Sequence, residues 1–161
     1  MDICRLREMI DDDLPIFFEQ QLDEGANRMA AFTRRDPGDR AAFDAHWRRI
    51  RGDGRIILRA VIVADDDRVA GHVLKYERGG DAEISYWLGR AFWNRGIATA
   101  ALRQFLAGVV TSRPLLARAA ADNGASLRVL EKCGFVPVAR ERGFANARGE
   151  EIDEFVLKLQ F

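Results

Sequence analysis

The sequence predicts a single α+β domain in which a mixed, mostly antiparallel sheet is flanked by helices. Its 161 residues, of which 48% are apolar, suffice for one buried core, so we expect one domain over residues 1–161. Short β-branched runs separated by turn residues fill the middle of the chain, which is typical of antiparallel strands. Beyond Gly96 the apolar residues recur at helical spacing, which predicts that helices follow these strands.

The first predicted elements are a strand and a helix. Residues 3–7 alternate weakly between apolar and polar and are expected to form the strand. The run Asp11 to Asp13 comes shortly before Pro15, an order typical of a helix N-cap followed by proline at the first helical position. We expect this helix to continue to Leu22.

A second helix is predicted after residues 34–39, which contain both Pro and Gly. Asp39 is a suitable N-cap for it, because a short carboxylate can accept a hydrogen bond from a first-turn N–H group. Its apolar side consists of Phe43, Trp47 and Ile50. We therefore expect two amphipathic helices to open the fold.

Three strands follow, separated by two turns. The acidic run Asp65 to Asp67 provides the first turn and the Gly79-Gly80 pair provides the second. These strands are expected to form an antiparallel meander of residues 56–64, 69–76 and 82–88.

The second half of the chain begins with a predicted helix from Ile97 to Val109, which ends before Pro114. In a shorter helix over residues 126–133, Gly134 fits the C′ position and Phe135 is expected to fold back on the last turn. The remaining predicted strands are 115–119, 136–145 and 152–159, with a turn at 146–149.

Charge and cysteine content argue against several classes of protein. Lys+Arg and Asp+Glu both count 25, so no global field directs the chain toward nucleic acid or an anionic membrane. Cys4 and Cys133 lie far apart and lack metal-ligand spacing, so we expect reduced thiols and no metal site. The N-terminus lacks an apolar signal core, and no apolar run approaches the roughly 20 residues that span a bilayer. We therefore expect a cytoplasmic protein that binds neither nucleic acid nor a membrane.

Residues 87–99 join the last strand of the meander to the long helix and form a candidate phosphate loop. A helix N-terminus offers unpaired N–H groups and the positive end of a dipole, so a loop that wraps there can hold a pyrophosphate. Gly96 lets the backbone approach the phosphates, and Ala98 is small enough not to block them. Taken alone, one glycine before a helix is also compatible with an ordinary strand-to-helix turn.

Two other nucleotide sites are not supported by this loop. The GxGxxG spacing of a Rossmann site is absent, and the preceding strands are predicted to be antiparallel. A P-loop requires a lysine followed by Ser or Thr after its last glycine, and the sequence has none.

A second motif, Asn-x-x-Ser-x-x-x-Leu-Glu-Lys-x-Gly-Phe, spans residues 123–135. Together with the loop, it resembles the GNAT superfamily of acetyltransferases, and particularly the branch similar to the RimJ/RimL ribosomal-protein N-terminal acetyltransferases. The loop matches the family motif (Gln/Arg)-x-x-Gly-x-(Gly/Ala) at Gly96 and Ala98. Trp93 departs from its first position but is similar to the Tyr-Trp-x-x-Gly form of the Rim-like branch. The predicted order of elements fits the family over nearly the whole chain.

The resemblance implies that acetyl-CoA is the co-substrate and that no metal takes part. Backbone groups of Trp87 and Leu88 would pair with the pantetheine arm as an added strand does. Asn123 would contact the pantetheine while also serving as a helix N-cap, and Ser126 would lie near the thioester sulfur. The residues implied to cradle the pyrophosphate are Arg95, Gly96, Ile97, Ala98 and Thr99.

Acetyl transfer to an amine requires that the ammonium of the acceptor first lose a proton. The candidate base is Glu83, on the strand that leads to the loop and in a stretch similar to the Rim-like segment. A solvent-facing or cross-strand-paired carboxylate is an equally good interpretation of Glu83. Many GNAT enzymes have a tyrosine acid where this sequence has Leu130, so either Ser126 or bulk water would protonate the departing thiolate.

The acceptor is expected to be a primary amine, on a small molecule or a protein N-terminus, because no acceptor motif is recognisable. Arginines of the second helix and its C-terminal flank form either a patch for an anionic substrate or a solvated helix face: Arg48, Arg49, Arg51 and Arg55. Aromatic residues that line the acceptor site or fill the core are Phe17, Phe18, Phe32, Trp47 and Phe144. Two other functions stay open, a silent acetyl-CoA-binding sensor and a scaffold that binds no nucleotide. A homodimer is compatible with the sequence.

Overall fold

The computed structural model describes residues 2–161, which form one sheet and five helices. The strands are β1 (Cys4–Arg7), β2 (Ile57–Val63), β3 (Val69–Arg78), β4 (Asp81–Leu88), β5 (Leu115–Ala120), β6 (Val136–Ala145) and β7 (Glu150–Leu159). The helices are α1 (Asp13–Gln20), α2 (Glu24–Ala30), α3 (Arg40–Gly52), α4 (Ile97–Gly108) and α5 (Gly124–Lys132), and a short 3-10 turn spans Arg90–Phe92.

The seven strands lie in the order β1-β2-β3-β4-β5-β7-β6. Every neighbouring pair is antiparallel except β4 and β5, which run parallel. This arrangement confirms the predicted mixed, mostly antiparallel sheet. The helix α4 lies between β4 and β5 in sequence, because a parallel pair needs a crossover connection.

Each face of the sheet carries a hydrophobic core. On one face, α4 and α5 cover the central strands through buried Leu102, Phe105 and Leu130. On the other face, α1 and α3 pack Phe17 and Trp47 on β2. Successive residues of β2 alternate between the two cores, as the pleat of a strand requires.

Several local predictions are confirmed. Asp39 accepts a hydrogen bond from the Ala42 N–H at 3.0 Å and caps α3. Gly134 has a φ of 95° at the end of α5, and the N–H of buried Phe135 donates back to Leu130 at 3.0 Å. Both features depend on residues close in sequence, which is why the sequence predicts them.

The N-terminal helices differ from the prediction. The first helix begins at Asp13, so Pro15 is its third residue and not its first. The Asp13 carboxylate is turned away from a capping role, because it accepts hydrogen bonds from Arg7 and from the Ile10 N–H. The helix ends at Gln20, and a separate α2, capped by the Asp23 carboxylate, follows it. The seven residues of α2 lack a clear apolar period, so the sequence prediction missed this helix.

Candidate active site

The strands β4 and β5 form a fork whose closed end is at Glu83. One parallel pair joins them, Glu83 with Leu116, whereas β3 pairs with β4 along the whole length of β4. Within residues 2–161, no other residue of β4 pairs with a residue of β5. Ser85 is exposed although it lies in the middle of the central strand. Beyond Glu83 the edge of β4 is therefore open to an extended ligand that adds to it as a strand does.

Glu83 is a buried carboxylate, with 2% of its surface exposed. Its Oε1 accepts hydrogen bonds from the Tyr76 hydroxyl at 3.1 Å and from Arg118 Nε at 3.2 Å, and its Oε2 lies 3.3 Å from the same nitrogen. Burial, followed by the Glu83 charge, raises the pKa of Tyr76 to about 12, so Tyr76 remains a proton donor at neutral pH. The structure thus confirms a cross-strand contact for Glu83, from Tyr76 on β3, and excludes a solvent-facing side chain.

Arg118 joins Glu83 to two further carboxylates. Its Nη1 hydrogen-bonds Glu141 on β6 and lies 3.1 Å from Glu154 on β7. Burial opposes the charge of Arg118, but the hydrogen bonds to Glu141 and Glu154 outweigh it and raise the pKa of the guanidinium. Three carboxylates share one guanidinium, so the closed end of the fork keeps a negative potential that favours a cation.

A second pair of polar side chains lies on the opposite face of β4. The Tyr86 phenol oxygen lies 3.1 Å from the Ser126 hydroxyl oxygen, and Ser126 is in the first turn of α5. Burial raises the pKa of Tyr86, so the phenol is neutral at physiological pH. The Ser126 N–H donates to the Asn123 carboxamide at 3.2 Å, which confirms the predicted N-cap. Sequence reasoning missed Tyr86, which is 40 residues from its partner.

The candidate phosphate loop places two left-handed residues before α4. Asn94 has a φ of 59° and Gly96, the N-cap, has a φ of 76°. Among residues 2–161 no side chain caps α4, so its first N–H groups are free for a ligand. Arg95 and Gly96 are exposed, whereas the side chain of Ile97 is buried in the core and only its backbone can face a phosphate.

Two arginines contact one aromatic ring of this loop: Arg95 belongs to the loop, and Arg68 comes from the turn before β3. The Arg68 guanidinium lies 4.7 Å from the centre of the Phe92 ring, and that of Arg95 lies 5.9 Å from the same ring. Contact with the ring of Phe92 keeps both cations close to the loop, where positive charge favours an anion. Sequence reasoning missed Arg68, because the turn before β3 is far from the loop in sequence.

The indole of Trp93 fixes the start of the loop against β4. Its Nε1 donates to the Leu88 carbonyl at 3.0 Å, and the Arg90 guanidinium lies 4.8 Å from the ring centre. Trp93 therefore already uses one acceptor position of a carbonyl that was expected to pair with pantetheine. A carbonyl oxygen has a second lone pair, so Leu88 keeps the capacity to accept another hydrogen bond.

Neither histidine lies at the fork, because His72 on β3 packs against Phe17 and Trp47 and the partly buried His46 lies on α3. Burial lowers the pKa of His72 to about 3, and burial with nearby arginines lowers that of His46 to about 4.

Among residues 2–161 no group of three or more His, Cys, Asp or Glu residues is arranged to hold a metal ion. Over the same residues, no helix is both long and apolar enough to cross a membrane.

Comparisons with known proteins identify the sequence family. The profile of the family described as Acetyltransferase (GNAT) domain matches residues 4–136. An uncharacterised N-acetyltransferase p20 of Bacillus licheniformis is 29% identical over 113 residues, which span 66% of this chain and 64% of the length of that relative.

Solved structures share the fold at low sequence identity. RimJ of Mycobacterium smegmatis, in complex with CoA-disulfide, superposes with a TM-score of 0.79 at 20% identity, over 98% of this chain and 81% of that chain. Spermidine N-acetyltransferase of Vibrio cholerae, in complex with CoA and spermine, superposes with a TM-score of 0.77 at 15% identity, over 98% and 96%. Because both resemble the chain about equally, the expected RimJ/RimL-like branch is not singled out.

Proposed function

The chain belongs to the acetyltransferase (GNAT) domain family and is an acyltransferase, and we propose that it moves an acetyl group from acetyl-CoA onto a primary amine. The acceptor amine belongs to a small molecule or to a protein N-terminus, as in the RimJ/RimL-like branch that the sequence motifs resemble. The observation that carries this proposal is the fork between β4 and β5, with a buried carboxylate at its closed end.

The residues around the fork fit acetyl-CoA. The uncapped N-terminus of α4, with Gly96 in the left-handed conformation, would hold the pyrophosphate through the backbone of residues 95–99. The open edge of β4 at Trp87 and Leu88 would hold the pantetheine arm, with Asn123 on its other side. When bound, acetyl-CoA supplies an acetyl group activated as a thioester.

In this proposal Glu83 accepts the proton of the acceptor ammonium through a water molecule. Only 2% of the Glu83 surface is exposed, so a small bridging water is better suited than direct contact with the acceptor. Among the described residues Oε2 accepts only from Arg118, so it keeps a lone pair for this water. The three carboxylates that share the Arg118 guanidinium attract the acceptor ammonium to the closed end of the fork.

Ser126 is proposed to donate a proton to the departing thiolate. A serine hydroxyl is a weak acid, but the neutral Tyr86 phenol can donate to its oxygen and favour proton release. Tyr86 lies on β4 and so replaces, from another element, the tyrosine that α5 lacks at Leu130.

Release of free thiol from acetyl-CoA in the presence of primary amines and short N-terminal peptides tests this function. We expect turnover with at least one amine and a markedly lower rate for Ser126→Ala. Saturable binding of acetyl-CoA without turnover of any amine or peptide would instead identify a silent binding module.

A further inference from the structure

A cleft of about 620 Å³ opens between α2, the segment that joins α2 to α3, and the turn between β6 and β7. We name it the arginine cleft, because Arg28, Arg34 and Arg35 line it. Its volume falls within the roughly 300–1,000 Å³ typical of small-molecule sites. It shares no lining residue with the phosphate loop or with the Tyr86–Ser126 pair.

The cleft lies at the open end of the fork. Ala31, in the segment after α2, packs against Ala120, the last residue of β5. The Ala147 N–H donates to the Ala31 carbonyl at 3.2 Å, and the Asn146 carboxamide donates to the Thr33 carbonyl at 2.8 Å. These contacts fix the wall of the cleft to the end of β5.

The other wall of the cleft is connected to β4. The Asn27 carboxamide donates to the Gln21 carbonyl at 2.7 Å, and the Trp87 indole donates to the Gln20 carbonyl at 3.2 Å. One end of α1 therefore contacts both α2, which lines the cleft, and β4, which forms the fork. A ligand in the cleft therefore lies beside the open end of the fork, on the side of α1 and α2.

The arginines of the cleft have acidic neighbours, because the charge of Asp122 interacts with Arg28 and that of Asp39 with Arg34, but these are not direct ion pairs. Among residues 2–161, none of the three arginines forms an ion pair. Glu24 is the one acidic residue in the lining, so three positive charges and one negative charge give the lining a net charge of +2. Nearby Asp39 is occupied as the N-cap of α3. By contrast, Arg51 and Arg55 of the patch considered from the sequence are paired with Asp11 and Asp53.

Two features of the cleft favour an anionic ligand. Arg34 is partly buried, and burial together with the charge of Arg49 lowers the pKa of its guanidinium, so a bound anion would relieve an existing repulsion. The Thr33 hydroxyl is buried and has no hydrogen-bond partner among the described residues. Planar guanidinium groups match the acceptor oxygens of a carboxylate or phosphate, and Thr33, which also lines the cleft, adds a hydroxyl donor.

We propose that the arginine cleft binds an oxyanion of the acceptor, so that the acceptor is a small amine that also carries a carboxylate or phosphate group. This inference rests on the proposed function and specifies its substrate class. The amine reaches the fork while the oxyanion stays among the arginines, and the acidic cluster around Arg118 and the basic cleft together orient the molecule.

Calorimetric titration of the CoA-saturated protein tests the cleft without requiring turnover. The probes are ω-amino acids of four, six and eight carbons, each paired with its neutral primary amide, and 3-aminopropylphosphonate as the phosphate-like arm. We expect at least one ω-amino acid or the phosphonate to bind roughly tenfold or more tightly than the amide, since several charge-assisted hydrogen bonds are lost in the amide. Equal binding of acid and amide at every length, with no binding of the phosphonate, overturns the proposal.

Matched arginine variants locate the effect. The double variant Arg34→Gln/Arg35→Gln is expected to remove most of the preference for the anion, whereas Arg48→Gln, an exposed arginine outside the cleft, leaves it intact. If the double variant does not fold, Arg28→Gln and Arg35→Gln, at two exposed arginines of the cleft, are each expected to weaken the preference for the anion severalfold. An anion preference that survives all of these variants overturns the assignment to this cleft.

Thiol release separates failure of the cleft from failure of the proposed function. Acetylation of amines with no preference for anionic acceptors overturns the cleft and leaves the acetyltransferase intact. Anion-selective binding without acetylation of any amine supports the cleft and contradicts the proposed function. Preference for an acidic peptide such as Ala-Glu-Glu over every ω-amino acid contradicts the small-molecule acceptor.

Discussion

The phenol oxygen of Tyr86 and the hydroxyl oxygen of Ser126 lie 3.1 Å apart, although the residues are 40 positions apart in sequence. The contact joins β4 to the first turn of α5 beside the fork. It provides a short route for a proton toward the place where the thiolate is proposed to leave.

We predict that Ser126→Ala and Tyr86→Phe each lower kcat by roughly tenfold to a hundredfold while acetyl-CoA affinity changes little. Because the two hydroxyls act as one unit, the double variant is expected to be no slower than the worse single variant. Steady-state kinetics of the four proteins measure this coupling. Ser112→Ala, at an exposed serine that precedes β5 and takes no part in the Tyr86–Ser126 contact, is the control. Independent, multiplicative effects would contradict the relay.

Glu83→Gln is predicted to reduce kcat/KM by roughly a hundredfold or more, because the amide can still accept a hydrogen bond from Tyr76 but can no longer take up a proton. Glu141→Gln removes a carboxylate from the same arginine at an exposed position and is expected to lower kcat/KM much less, because Glu141 attracts the ammonium but does not take up its proton. A Glu83→Gln enzyme with full activity would exclude Glu83 as the base.

Arg118→Met is predicted to cost about 3–5 kcal/mol of unfolding free energy, because it leaves the buried Glu83 charge without its cation. Urea denaturation measures this loss. Arg140→Met removes an exposed ion pair to Asp153 and is expected to cost at most about 1 kcal/mol. Similar losses in the two variants would show that the Glu83–Arg118 contact is not a buried pair of this kind.

Acidification is predicted to destabilise the protein between pH 6.5 and pH 3 partly through its histidines. The pKa of His72 is lowered from 6.5 to about 3, so below pH 6.5 the unfolded chain binds a proton that the folded chain does not. The unfolding free energy therefore falls with decreasing pH, by up to about 1.4 kcal/mol per pH unit for this residue.

His72→Phe tests that origin. The ring of His72 packs edge-on between Phe17 and Trp47, and its Nδ1 has no partner among the described residues, so a phenyl ring removes no known hydrogen bond there. The variant is expected to retain stability at pH 7 and to lose less on acidification. The unfolding free energies of parent and variant are measured by urea denaturation between pH 6.5 and pH 4. An equally steep fall with decreasing pH in both proteins would contradict this role of His72.

The sequence predicts the parts of the site that depend on neighbouring residues. Asn123 caps α5 and Gly96 precedes α4 as expected, because helix ends are set by residues within one turn. The pairing of Glu83 with Arg118 could not be predicted, since Arg118 is 35 residues away and meets Glu83 only through the order of the strands. The arginine cleft depends in the same way on the approach of the β6–β7 turn to the segment after α2.

Titration calorimetry with acetyl-CoA tests whether the chain binds this co-substrate at the N-terminus of α4. The parent protein is compared with two variants that carry the same substitution at opposite ends of α4. Gly96→Glu places a carboxylate at the left-handed N-cap, where it would strain the backbone and repel a pyrophosphate. Gly108→Glu places the same charge in open space at the other end of the helix. Saturable binding is expected for the parent and for Gly108→Glu, and none for a folded Gly96→Glu. Absence of binding to the folded parent, or undiminished binding to Gly96→Glu, would contradict acetyl-CoA binding at this site.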